Sequence, residues 1–178
     1  MLHTLISSKT RIKLLLKFFL NSDTRSHLRA LESEFGESSN AIRLELNRLE
    51  EAGMLTSASK GNKKIFQANL QHPLFGDIHG ILMKYIGLDH VIENVVKRLG
   101  EVEQVFLVGE FSKGLDSQII DLIFVGNMDQ TYLVQLIEKV EKLISRKIRY
   151  LVFAKQEFSE QQLDNFSPSP LLLWEKEK

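Results

Sequence analysis

The chain has 178 residues, room for one large domain or two small ones, and 43% of them are hydrophobic, an ordinary share for a protein with a buried core. It has no cysteine and its five histidines lack zinc-ligand spacing, which excludes a disulfide framework and a cysteine or H-E-x-x-H metal site; no apolar run nears the roughly 20 residues of a membrane span, and no signal-peptide cleavage pattern is present, so a cytoplasmic protein without a membrane partner is expected. The net charge of zero hides an asymmetry: residues 1–72 carry 11 Lys and Arg against 7 Asp and Glu, and residues 73–178 carry 12 against 16, which fits two domains, one of them meeting a polyanion.

Lys9–Leu20 is expected as a first helix, with Ile12, Leu15, Leu16 and Phe19 on one stripe and Ser7 or Ser8 as its cap. Asn21-Ser22-Asp23 ends it. Asp23 or Thr24 then starts a second helix, Arg25–Phe35, which buries Leu28, Leu31 and Phe35. Gly36 and Glu37 turn the chain into Ser38–Gly53, the most divided helix of this part. Ile42, Leu46 and Leu49 share one stripe, while Asn40, Arg43 and Asn47 recur on the other side. Ser38 or Ser39 caps its start, and Gly53 stops it because glycine enters the left-handed conformation cheaply. Ser, Asn and Arg are the side chains that hydrogen-bond phosphates and base edges.

After Gly53 the period changes. Met54–Ser57 and Lys63–Ala68 read as strands joined by Ser59-Lys60-Gly61-Asn62, a hairpin signal with Lys60, Lys63 and Lys64 around its tip. Two helices joined by a tight glycine turn, followed by a basic hairpin, have the layout of a winged helix-turn-helix. Residues 26–69, with the run Leu46-x-x-Leu49-x-x-Ala52-Gly53-Met54-Leu55 and the basic glycine hairpin, resemble the winged-helix domains of ArsR- and MarR-type transcription regulators. The resemblance implies that Ser38, Ser39, Asn40, Arg43 and Asn47 meet the major groove of double-stranded DNA. It further implies that Lys60, Lys63 and Lys64 meet the backbone and that the protein binds as a homodimer.

Residues 73–102 are expected as a helical connector. Pro73–Ile86 carries Leu74, Ile78, Ile81, Leu82 and Tyr85 at helical spacing, weakened by Gly76 and Gly80. Asp89 is expected to cap a further helix, His90–Leu99, which Gly100 stops. His72, His79 and His90 share no close face with a carboxylate or a second histidine, so they are expected as surface or packing residues.

In residues 103–178, Gln104–Val108, Ile119–Val125 and Lys147–Phe153 read as strands, and Asp129–Ile144 as a regular helix lined by Leu133, Leu136, Ile137, Val140, Leu143 and Ile144. Gln156–Asn165 is expected as a short helix. The tail has prolines at 168 and 170 and then Leu171–Trp174, expected to dock on its own chain. Strands alternating with helices give a small α/β layer. The order strand, Gly109-x-Phe111-x-x-Gly114, loop, strand with Asp121 resembles the minimal nucleotidyltransferase domain of the DNA polymerase β-like superfamily. In that pattern a Gly-Ser turn holds a nucleoside triphosphate and two alternating aspartates bind magnesium.

Three positions depart from the pattern. Glu110 stands in the serine position, Ile119 in that of the first aspartate, and Ile148–Phe153 carries no carboxylate. Isoleucine offers magnesium no oxygen. A Glu110 carboxylate about 4 Å from a phosphate charge repels it by about 4 kcal/mol at an effective dielectric near 20. The expectation is therefore an α+β protein of two domains: a winged helix at 1–72, a helical connector at 73–102 and a degenerate nucleotidyltransferase-like domain at 103–178. Its function is read as DNA-binding transcriptional regulation. Gly109, Glu110, Gly114 and Asp121 are expected as a vestigial nucleotide site, and the domain that holds them as a dimerisation or sensing module whose nucleotide or small-molecule effector is unidentified. No enzyme activity, catalytic residue, metal or cofactor is expected. The alternatives are a magnesium-dependent nucleotidyltransferase relying on Asp121 and a non-catalytic protein-interaction module.

Overall fold

A computed structural model describes residues 2–166 and 170–177. The chain is a mixed α+β protein that divides into two compact units, Met1–Tyr85 and Ile86–Lys178. Among the described residues no helix is long and apolar enough to cross a membrane.

The first unit contains α1 (Leu2–Leu5), α2 (Lys9–Leu15), β1 (Ser26–His27), α3 (Leu28–Phe35), α4 (Ser39–Glu51), β2 (Leu55–Lys60), β3 (Lys63–Ala68) and α5 (Phe75–Ile86), whose last residue opens the second unit. Ser8 caps α2 by accepting from the Arg11 amide at 3.1 Å. The expected single stripe on Lys9–Leu20 is too narrow, because Leu14, Phe18 and Leu20 are buried as well. Its second half, Leu16–Leu20, is π-helical and packs on β3 while α2 packs on α4, so the segment is enclosed on more than one side.

The second helix starts later than the sequence suggests. Ser26 and His27 pair with Phe66 and Ile65 as a third strand, giving an antiparallel sheet of order β1-β3-β2. Pairing pulls these two residues out of the helix, and α3 begins at Leu28 with His27, not Asp23 or Thr24, as its cap. The His27 Nδ1 accepts from the Ala30 amide at 3.2 Å. The β2–β3 hairpin runs in register from Leu55 opposite Ala68 to Lys60 opposite Lys63. Gly61, at φ 61°, takes the first place of its two-residue turn.

The stretch expected as a helical connector, residues 73–102, is helical over Phe75–Ile86 and 88–99, and the boundary between the units falls within it, after Tyr85. In α5, Phe75 stacks on Phe19 with ring centroids 5.5 Å apart, and His79 Nδ1 lies 2.8 Å from the Phe19 carbonyl oxygen. These contacts bind the helix to the first unit. The rest of the stretch joins the second unit, where α6 (Leu88–Val91) runs through a π-helical segment, Ile92–Val96, into α7 (Lys97–Leu99). Gly87 (φ 96°), not Asp89, precedes the first turn of α6. A Cβ at Gly87 would lie 2.5 Å from Ile144 Cγ2, so only glycine admits this approach.

The second unit continues with β4 (Val102–Val108), α8 (Gly109–Ser112), β5 (Ile119–Gly126), α9 (Gln130–Ile144), β6 (Lys147–Phe153), a 3-10 turn (Glu160–Asn165) and β7 (Leu171–Glu175). The sheet order is β6-β5-β4-β7, with β5 and β6 parallel and the other pairs antiparallel. On one face Phe106, Val108, Ile123 and Val125 meet Phe153, Phe158, Leu163 and Phe166. Strand alternation sends Val105, Leu107, Ile120, Leu122 and Phe124 to the opposite side, where they too are buried. The tail docks on its own chain by pairing Leu171 with Leu107 and Glu175 with Gln104. Ser167 to Ser169 of the tail lie outside the described residues.

Candidate functional site

In the first unit, α4 is oriented by what it buries. The Ser38 hydroxyl caps it, accepting from the Ala41 amide at 3.4 Å. Ile42, Leu46 and Leu49 are buried, and so is Glu45 between them. Glu45 Oε2 accepts from Arg11 Nε of α2 at 2.8 Å, and Glu45 Oε1 from Arg48 Nη1 at 3.2 Å. Burial raises the Glu45 pKa, but the hydrogen bonds from Arg11 and Ser8 and the charges of Arg11 and Arg48 outweigh it, so the carboxyl titrates below its usual range. Glu45 was not among the residues expected at this site. Its signal was present, since Glu45 falls three residues after Ile42 and four before Leu49, on the apolar stripe.

With that side held, Asn40, Arg43, Leu44 and Asn47 are exposed, and Ser39 is half-buried. Arg43 forms no ion pair with any described residue. On the hairpin, Lys60 and Lys63 are exposed and likewise unpaired among the described residues. Lys64 behaves differently. Its Nζ lies 2.6 Å from Glu50 Oε2 and 5.1 Å from the centroid of the Phe66 ring, so it ties the hairpin to α4. The bond from Lys64 and a second from the Ser57 hydroxyl hold the Glu50 carboxyl below its ordinary pKa, against a smaller rise from burial.

Between the start of α3, α4 and the hairpin lies a cleft of about 330 Å³, lined among others by His27, Arg29, Arg43, Asn47, Lys63 and Phe66. Among the described residues no carboxylate lines it. Because His27 Nδ1 accepts the α3 cap bond, the neutral ring carries its proton on Nε2 as a donor. Donors and cations without acids suit a phosphate backbone.

In the second unit, Gly109 (φ 71°) turns the chain from β4 into α8. A Cβ there would meet Asp121 Oδ2 at 2.3 Å, so the turn closes directly on the carboxylate. Asp121 stands on β5 opposite Val108 and beside Arg149 of β6. Arg149 Nε donates to Asp121 Oδ1 at 2.6 Å. That bond first, and the Asp121 charge second, raise the guanidinium above its usual value despite a small opposing desolvation. Glu110 pairs with Lys113 at 3.0 Å, and Asp116 with Arg146 at 2.9 Å. Gly114 (φ 77°) closes the turn through its amide to the Phe111 carbonyl at 2.9 Å. Val108, Gly109, Asp121, Arg149, Leu151 and Phe166 help line an open groove of about 580 Å³.

The resemblance implies magnesium beside Asp121. The donor set does not fit it. Ile119, two residues before Asp121 on the same strand, offers no oxygen. Glu110 and Asp116 already face cations, Arg149 holds Asp121, and among the described residues no three acidic or histidine side chains gather.

No protein-family model and no curated protein matches the chain. Solved structures do. A tri-AMPylated HEPN toxin in complex with an MNT antitoxin, from Shewanella oneidensis, is similar at TM-score 0.39 and 12% identity, over 53% of this chain and 74% of that one. A mutant of the MntA–HpeT toxin–antitoxin pair gives 0.37 and 13%, over 51% and 73%. A further structure from Shewanella oneidensis gives 0.37 and 16%, over 52% and 72%. At TM-scores below 0.5 these likenesses assign neither family, activity nor partner to this chain. They do correct one expectation. The sequence reading set the chain down as not an enzyme; the similar structures are toxin–antitoxin proteins, one with an AMPylated toxin, and that expectation is withdrawn.

Proposed function

We propose that the first unit is a winged helix that binds double-stranded DNA as a homodimer and regulates transcription, and that the second is a nucleotidyltransferase-like domain carried with it. One observation supports the DNA reading most. The buried side of α4, clamped by Glu45 to Arg11, leaves Asn40, Arg43 and Asn47 exposed, while Lys60 and Lys63 are exposed on the hairpin. The N-terminal turns of α4 enter the major groove, where Arg43 reaches a guanine and the asparagines reach adenines. Ser38 and Ser39, at the helix start, and Lys60 and Lys63 of the wing take phosphates. Lys64 braces the wing through Glu50.

Electrophoretic mobility shift with duplexes selected from a random pool tests this. Arg43→Ala weakens the selected sites by about 1–3 kcal/mol and relaxes their sequence preference. A protein that retards no duplex at low salt does not have this function.

A second reading gives the second unit nucleotidyl transfer. In its favour is the contact of the Gly109 turn with Asp121 beside an open groove. Release of pyrophosphate from a nucleoside triphosphate in magnesium buffer, abolished in Asp121→Ala, would establish it. The same release in both proteins would remove it.

A further inference from the structure

The outward face of α4 is not uniformly polar. At about 100° per residue, Ile42, Glu45, Leu46 and Leu49 occupy one arc, all of them buried. The opposite pole falls among Asn40, Leu44, Asn47 and Glu51, which follow one another at intervals of four, three and four residues. Leu44 is 51% exposed there. The other exposed side chains of the helix, Asn40, Arg43, Asn47, Arg48 and Glu51, carry hydrogen-bonding or charged groups. Leu44 is not among the buried residues that form the core.

Its surroundings say what would cover it. Asn40 and Asn47 flank it on the same stripe, and asparagine pairs through two bonds with the N6 and N7 edge of adenine. The thymine opposite each adenine turns its 5-methyl group into the same groove. Glu51, at the far end of the stripe, repels phosphates, so the first turns of the helix are the ones that approach DNA, and Leu44 lies in the second.

We propose that Leu44 is a specificity residue: its branched end packs on a thymine 5-methyl in the major groove and makes α4 prefer A·T pairs at that step. The proposal rests on the DNA reading above and adds to it a residue and a base.

Deoxyuridine tests it, because it differs from thymidine only by the methyl group. Duplexes selected from a random pool are resynthesised with single dT-to-dU replacements, and their Kd values are measured for the wild-type chain, Leu44→Ala and Leu44→Met. One or two replacements should weaken wild-type binding about fourfold, the cost of exposing about one buried methyl group at about 0.8 kcal/mol. The same replacements should be neutral in Leu44→Ala, and Leu44→Met, which keeps an apolar tip, should retain most of the effect. Wild-type binding indifferent to every replacement overturns the proposal. So does an equal methyl effect in Leu44→Ala, or a Leu44→Ala protein that changes its sedimentation and not its methyl dependence. If no duplex is selected at all, the DNA reading itself has failed; selection without methyl dependence removes only the role of Leu44.

Discussion

Replacing Glu45 should show how firmly α4 is set. The carboxylate is 6% exposed and takes hydrogen bonds from two guanidinium groups, at 2.8 Å from Arg11 and 3.2 Å from Arg48. Two bonds to charged groups are worth about 1.5–3 kcal/mol each. Arg11 and Arg48 are 36% and 53% exposed, so once released they regain water and much of that loss is recovered. Glu45→Ala should therefore cost about 2–3 kcal/mol, less than the roughly 3–5 kcal/mol of a fully buried pair broken on one side. Glu45→Gln keeps the shape and should cost somewhat less. The pH dependence follows from the lowered carboxyl pKa. The unfolded group, near 4.5, takes up protons before the folded one, so the contribution of Glu45 is complete above that value and fades as pH falls through the folded pKa. Amide hydrogen exchange of the 39–51 segment measures this without involving the second unit. The gap between wild type and Glu45→Gln should be clear at pH 7 and narrow steadily below about pH 4. A gap below about 0.5 kcal/mol at pH 7, or one equally wide in acid, would show that the ion cluster does not hold α4.

Other substitutions probe separate parts of the account. Lys63→Ala should weaken binding to all duplexes alike and lower the slope of log K against log salt by about 0.9, read from fluorescence anisotropy at several ionic strengths. Lys64→Ala should instead loosen the hairpin, seen as faster amide exchange in β2 and β3, because its charge is spent on Glu50. Gly109→Ala should displace the Asp121 carboxylate, since the new Cβ would meet Oδ2 at 2.3 Å, and should lower the melting temperature measured by calorimetry. Gly76→Ala and Gly80→Ala should each raise it, adding up to about 1 kcal/mol of stability from helix propensity, because neither Cβ meets an atom within 4 Å.

Elements whose pattern is complete in one stretch could be read from the chain. Ser38, Ile42, Leu46 and Leu49 specify α4 by cap and stripe, and Asp129 with Leu133, Leu136, Ile137 and Val140 specifies α9 in the same way. The Lys60–Lys63 hairpin carries its own turn. What stayed hidden depends on distant partners. The two residues of β1 look like the start of a helix until Ile65 and Phe66 claim their backbone. The tail becomes a strand only because β4, some 65 residues earlier, has a free edge to pair with. Local pattern does not announce the ion pair of Lys64 with Glu50, which the fold adds although Lys64 still lines the cleft with Lys63, and it leaves Asp121 alone, whereas register places Arg149 beside it. Short α8 was legible only as a loop, because four residues around a glycine turn show no helical period.

The decisive measurement is duplex binding against salt by the intact chain, with Arg43→Ala beside it. Binding to selected duplexes should weaken steeply from about 50 to 200 mM salt, and the variant should lose discrimination among sequences more than affinity for unselected DNA. No binding at about 50 mM, or identical sequence preference in both proteins, would contradict it.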